Sequence, residues 1–158
     1  MEIRRATLEE AELLVTLNDP VQKMHAEEHP HFFKYPVDQA GMAKLFRDEL
    51  ASEQNAFYIA WEDDQPLGYI WCMVQSRPEN LIVHAFKRVT VDQISVNPDC
   101  RGKGVGKALM LAAEEFAREC DTTNLGLSTW AFNTGAHGFF EEMGYSKYKQ
   151  DMWKTLDL

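Results

Sequence analysis

The chain has 158 residues, 45% of them hydrophobic, and a formal net charge of −9. That length and apolar content suit a domain with a real core and exclude a wholly disordered chain. The charge excludes a nucleic-acid binder built on a basic stripe; it is compatible with cationic acceptors such as amines, although many acidic proteins are simply soluble.

No internal repeat, low-complexity tract or linker-like stretch interrupts the sequence, so residues 1–158 read as a single domain. Met1–Arg5 leads into Glu9, Glu10 and Glu12 rather than an apolar run, and no apolar stretch approaches the ~18 residues of a membrane span. The expectation is a cytoplasmic protein with no membrane contact. Cys72, Cys100 and Cys120 lack metal-ligand spacing and read as free thiols in a reducing compartment.

Ile3–Ala6 reads as a short strand. Thr7-Leu-Glu-Glu10 is a capping-box pattern, and Ala11, Leu14, Val15 and Leu17 supply the buried stripe of the helix it starts. Asn18-Asp19-Pro20 is expected to interrupt that helix. Val21–Pro36 is mixed and carries His25, His29 and His31. A second helix is expected from Asp38, with Met42, Leu45, Phe46 and Leu50 on one face.

The period then changes. Ala56–Trp61 and Leu67–Gln75 read as an antiparallel hairpin around the turn residues Glu62–Pro66. Lys87–Val96 is a long strand ended by Asn97-Pro98-Asp99. The glycine turn Arg101–Gly106 follows, then a helix with Val105, Ala108, Leu109, Ala112, Phe116 and Cys120 at helical spacing. Leu125, Leu127 and Thr129 alternate as a strand. Thr134–Met143 reads as a short helix stopped by Gly144, and Tyr145–Lys154 as a last strand. The order β-α-α-β-β-β-α-β-α-β is a mixed α/β fold with helices covering a central sheet.

The glycine turn is where chemistry enters. Glycines free the backbone to take left-handed conformations and to approach a ligand closely. The first turn of the helix behind them offers unpaired N–H groups and a positive dipole end, which together suit a pyrophosphate. Arg101, Lys103 and Lys107 add cations to an otherwise acidic chain. A P-loop is excluded, because Gly102 and Gly106 enclose three residues and Lys107 is followed by Ala108. A dinucleotide fingerprint is excluded by the Gly-x-Gly-x-Gly spacing and by its late position.

The run from Val89 through Val96-Asn-Pro98 to Arg101-Gly-Lys-Gly-Val-Gly-Lys-Ala-Leu109 resembles the central signature of the GNAT N-acetyltransferases. A second block, Asn133-Thr-Gly-Ala136-His-Gly-Phe139-Phe140-Glu-Glu-Met-Gly144-Tyr145, is similar to that family's Asn-x-x-Ala-x-x-Phe-Tyr-x-x-x-Gly-Phe/Tyr segment. The likeness covers most of the chain and is weakest from Val21 to Asp48. It implies a mostly antiparallel sheet whose central strands splay apart, flanked by helices.

The resemblance also implies a reaction and a set of roles. The chain would be an acetyl-CoA-dependent N-acetyltransferase acting on a small-molecule amine or a peptide. Ile94, Ser95 and Val96 would pair through their backbones with the pantetheine arm, and the amides from Arg101 to Lys107 (Gly102, Lys103, Gly104, Val105 and Gly106 between them) would hold the pyrophosphate. Asn133 would bond the pantetheine, or simply cap its helix. The backbone N–H of Val96 would stabilise the developing oxyanion.

Asp92 is the only carboxylate within Val89–Val96; it reads either as the base or as a solvated side chain. Strand alternation would place it on one face with Thr90, Ile94 and Val96. His84 and Glu28 are further bases to consider. Many relatives carry Tyr where this chain has Phe140, so no hydroxyl stands ready to protonate the leaving thiolate, and Tyr145 is the candidate replacement. That absence also leaves open a CoA-binding sensor or interaction module without catalysis. His25 and His29 lack a third ligand, so no metal is expected; His29, His31, Phe32 and Phe33 read as acceptor-pocket residues or as an ordinary loop with aromatic anchors. Tyr148, Met152 and Trp153 fit either a homodimer interface or the core of the last strand.

Overall fold

Apolar residues that recur at every second position need a sheet to hide one face, and those at helical spacing need a partner to hide one stripe. The computed structural model of the protein, which describes residues 1–157, satisfies both demands. The strands are β1 (Glu2–Arg5), β2 (Asn55–Glu62), β3 (Gln65–Arg77), β4 (Phe86–Val96) and β5 (Leu125–Leu127). They form one sheet in the order β1-β2-β3-β4-β5. The first four are antiparallel, and β5 joins β4 in parallel. The helices are α1 (Ala11–Glu28), α2 (Gln39–Leu50), α3 (Val105–Glu119) and α4 (Thr134–Glu142).

Helices α1 and α2 cover one face of this sheet. Leu14, Val15, Leu17, Ala43 and Phe46 are buried there against Phe57, Ile59, Tyr69 and Trp71. Helix α3 covers the other face through Val105, Leu109, Met110, Ala113 and Phe116, with the Phe116 ring edge-on to Tyr58 at 6.4 Å. Ala43 turns inward on α2, whereas Leu45, expected on the buried face, is exposed. Phe46 is the hub of the first core: its ring meets Phe57, Tyr69 and Trp71 edge-on at 5.9, 6.1 and 6.2 Å. Phe46→Ala should therefore cost about 3–5 kcal/mol, read as a lower urea midpoint at unchanged m-value.

Helix α1 runs through Pro20 instead of stopping before it. Proline has no N–H, so the carbonyl of Thr16 loses its bond within the helix. Tertiary bonds offset that loss: Ser95 Oγ donates to the Leu17 carbonyl at 2.7 Å, and Asn18 Nδ2 donates to the Tyr69 hydroxyl at 2.9 Å. The β2–β3 turn is tighter than expected. Asp63 and Asp64, both at positive φ, make a two-residue loop, and Pro66 falls inside β3 beside a register shift.

The chain divides into two compact units, Met1–Ser128 and the segment from Thr129 onward. In the second, Asn133 caps α4 and Gly144, at φ +88°, closes it. Residues 145–157 form no strand, contrary to expectation. A strand is held by the ladder it joins; here the chain leaves the helix by returning the Tyr145 N–H to the Phe140 carbonyl at 2.9 Å. Tyr148 and Trp153, 93% and 80% exposed, are not core residues.

Candidate functional site

The first unit contains an opening in its sheet. Strand β5 accompanies β4 over three residues only: Val89, Thr90 and Val91 pair with Leu125, Gly126 and Leu127. Beyond Val91 the two strands part, and among the described residues Gln93–Val96 have a strand partner only on the β3 side.

A bulge decides what that free edge presents. Trp71 pairs with Gln93 and Cys72 with Val91, so Asp92 is passed over in the register. Before the bulge, the Val89 N–H points to the β5 side, donating to the Asn124 carbonyl at 2.9 Å. After it, the Asn97 N–H points to the β3 side, donating to the Leu67 carbonyl at 2.8 Å. Backbone alternation then turns the N–H of Ser95 toward β3 and those of Ile94 and Val96 toward the open edge. Gly68 allows the close approach behind them: a Cβ there would lie 2.4 Å from the Ser95 carbonyl oxygen.

The bulge also corrects the face of Asp92. Cross-strand pairing puts Ile94 opposite Ile70, on the α3 face, while Gln93 and Ser95 share the α1 and α2 face with Trp71 and Tyr69. Asp92 lies with Thr90 on that second face and not with Ile94 and Val96. The residue is exposed, yet its carboxyl is pushed above the ordinary carboxylate range, first by loss of surrounding water and second by the Glu49 carboxylate. Glu49 is itself held by Asn55, whose Nδ2 donates to its carbonyl at 3.0 Å and its carboxylate at 2.6 Å.

Past Val96 the chain turns through Pro98–Cys100 into the glycine segment. Gly102 and Gly104 sit at φ +73° and +81°, and a Cβ on either would meet nothing within 4 Å. Their lack of a side chain therefore serves the backbone conformation and the space outside the protein, not internal packing. The first α3 bond runs from the Ala108 N–H to the Gly104 carbonyl at 3.0 Å, which places the amides of Val105, Gly106 and Lys107 ahead of the helical ladder. Arg101, Lys103 and Lys107 are exposed around them. A shallow concavity of 520 Å³, lined by Lys87, Arg118, Asp121 and Asn124 among others, lies at the opposite ends of β4 and α3. It has no part in this arrangement.

Ile94, Ser95, Val96 and Arg101–Lys107 are thus brought into one continuous stretch. His84 is not: it sits before the far end of β4, almost fully exposed, beside Glu79 at 3.6 Å. Glu28 is the last residue of α1. His25 stacks on Phe33 at 4.9 Å, and burial, then His29, lowers its pKa. In the second unit, Asn133 Oδ1 accepts from the Ala136 N–H at 3.3 Å, so its capping role is realised. Phe140 is buried, and the Tyr145 ring lies edge-on to it at 5.9 Å, the packing position.

The model of the Acetyltransferase (GNAT) family matches residues 19–145. The chain belongs to that family. Among curated relatives, an uncharacterized N-acetyltransferase of Methanocaldococcus jannaschii is 25% identical over 132 residues, which cover 82% of this chain and 56% of that protein. The chain therefore spans about half the length of that relative. Among solved structures, a tetramutant of the BH1408 protein from Bacillus halodurans superimposes with a TM-score of 0.91 at 20% identity, covering 99% of this chain and 100% of the other. A predicted acetyltransferase from Clostridium acetobutylicum, solved with acetyl-CoA, gives a TM-score of 0.75 at 16% identity, covering 99% and 95%. Both share the fold. Among the described residues, no helix is long and apolar enough to cross a membrane.

Two features of this GNAT chain escape a reading of its sequence. The bulge at Asp92 leaves no trace in the alternation of residue types, because it is a property of the pairing. Glu49, just beyond the part of the chain least like the family, has no signal pointing to Asp92. Asn18 does carry one: an amide next to the apolar stripe of α1 asks for a buried partner.

Proposed function

We propose that this chain is an acetyl-CoA-dependent N-acetyltransferase that moves an acetyl group directly to the primary amine of a small molecule or peptide, and that residues 1–158 act as one acyltransferase domain. One observation carries the reading: an open strand edge with two outward amides runs straight into a glycine turn, three free helix amides and three cations. In this reading the pantetheine arm pairs with the edge at Ile94–Val96, and the pyrophosphate sits on the amides and cations of Arg101–Lys107. The family match and the acetyl-CoA bound by the C. acetobutylicum neighbour support the choice of coenzyme.

The amine nitrogen attacks the thioester carbonyl, the carbon–sulfur bond breaks, and the thiolate leaves to be protonated by water. Asp92 accepts the proton of the amine, directly or through a water. The oxyanion donor must serve the same carbonyl. Asp92 is roughly 7 Å along the strand from Ile94 and roughly 13 Å from Val96. The donor in this reading is therefore the Ile94 amide, and Val96, the candidate from sequence, holds the arm.

Phe140 favours a second reading, a CoA-binding module without catalysis, since a buried phenyl ring cannot donate a proton to sulfur. Thiol release measured over a panel of amines and peptides separates the two. Turnover with at least one acceptor is expected. Tight acetyl-CoA binding with no turnover across the panel would leave the non-catalytic module standing in its place.

A further inference from the structure

Three polar side chains, Asn18, Tyr69 and Gln93, meet between α1 and the sheet, Ser95 lies opposite Tyr69 in the register, and none of the four side chains belongs to the chemistry above. Asn18 and Ser95 are each only 4% exposed and Tyr69 is fully buried. Asn18 Nδ2 donates to the Tyr69 hydroxyl at 2.9 Å and to Gln93 Oε1 at 3.1 Å, and the Tyr69 hydroxyl donates to the same Gln93 oxygen. Ser95 Oγ reaches the Leu17 carbonyl at 2.7 Å. Burying such groups costs stability unless each is satisfied, and apolar side chains of similar shape would hold the two layers together with less risk. Their position suggests what they add.

Gln93 and Ser95 flank Ile94, directly after the bulge. A bulge is where register is easiest to lose, and a slip of one residue there would exchange the two edges of the strand. The Ile94 and Val96 amides would then turn toward β3, those of Gln93 and Ser95 would take the open edge, and every side chain of the stretch would turn to the opposite face. Gln93 and Ser95 can reach Asn18, Tyr69 and Leu17 in one register only, because a slip turns both side chains to the α3 face. Burial drives the Tyr69 pKa upward, so its hydroxyl keeps its proton and remains a donor.

We propose that Asn18, Tyr69, Gln93 and Ser95 are a positioning frame that locks the register of Gln93–Val96, so that the Ile94 and Val96 amides stay presented to the coenzyme. The inference rests on the coenzyme reading above and deepens it. These are positioning residues: their side chains touch helix and sheet, not the ligand.

The test is CoA titration by calorimetry of the full chain carrying Tyr69→Phe or Ser95→Ala, which remove a hydroxyl and keep the shape. Thr122→Val is the control, since Thr122 is also buried and its hydroxyl bonds the Lys87 carbonyl at 2.8 Å, near the other end of β4. All three should lose similar stability to urea, but only the first two should weaken CoA binding, by about ten-fold. Amide exchange supplies a readout without ligand: the Asn97 N–H, bonded to Leu67, should exchange faster in Tyr69→Phe and Ser95→Ala than in the control. Wild-type protein that fails to bind CoA sinks the coenzyme reading, while the exchange pattern still judges the frame. Wild-type binding with the same affinity in both variants, or an equal loss in Thr122→Val, overturns the frame alone.

Discussion

Gly104→Glu should abolish CoA binding, weakening it by at least about 100-fold, or about 2.7 kcal/mol. Gly104 is the residue before α3 and holds φ +81°, which a side chain makes costly by roughly 1–2 kcal/mol. Packing adds nothing to that cost, because a Cβ there would touch no protein atom within 4 Å. The larger effect is electrostatic: the new carboxylate competes with phosphate for the amides of Val105, Gly106 and Lys107 and offsets one of the nearby cations. Gly104→Asn separates the two contributions, since asparagine tolerates the left-handed region and brings no charge. It should lose less than about ten-fold by calorimetry. Near wild-type CoA affinity in Gly104→Glu would move the pyrophosphate away from this turn.

The turn is legible in the sequence because its chemistry is local. Glycine spacing, the strand before it and the helix after it are all written within Val89–Leu109, and backbone amides need no distant partner to be in place. The β2–β3 hairpin is legible for the same reason, as period-two patterning on either side of a turn. What fails is tertiary. Pro20 reads as a helix end, but Asn18 and the Leu17 carbonyl find partners on the sheet that keep α1 continuous. Tyr145–Lys154 has strand-like composition, but composition cannot supply the neighbouring strand a ladder needs. Leu45 reads as part of the buried stripe of α2, yet it is exposed and Ala43 is buried, because size alone does not decide which side of α2 meets Phe57 and Trp71. At the site, alternation puts Asp92 on the wrong face relative to Ile94, since one bulged residue reverses the parity of everything after it.

That reversal bears on the second large effect. Asp92→Asn should lower kcat/KM by about 10²–10⁴-fold, the usual contribution of a positioned base, while leaving CoA affinity intact. Its carboxyl is held above the ordinary carboxylate range, chiefly by lost water and then by Glu49. The acid limb of the kcat/KM profile should accordingly lie above that range, and Glu49→Gln should move it down. Stability responds with the opposite sign. A raised pKa in the folded state means the folded chain binds this proton more tightly than the unfolded chain does. The stability that brings is full below the unfolded pKa and is lost as pH rises through the folded one. At pH 8 the ionised Asp92 is therefore a burden on the fold, and Asp92→Asn should unfold at equal or higher urea concentration than wild type. Lost activity together with unchanged or greater stability marks a group kept for chemistry. A variant that keeps turnover within three-fold, with an unmoved acid limb, would remove Asp92 from the mechanism and send the search for the base to other groups at the open edge of β4.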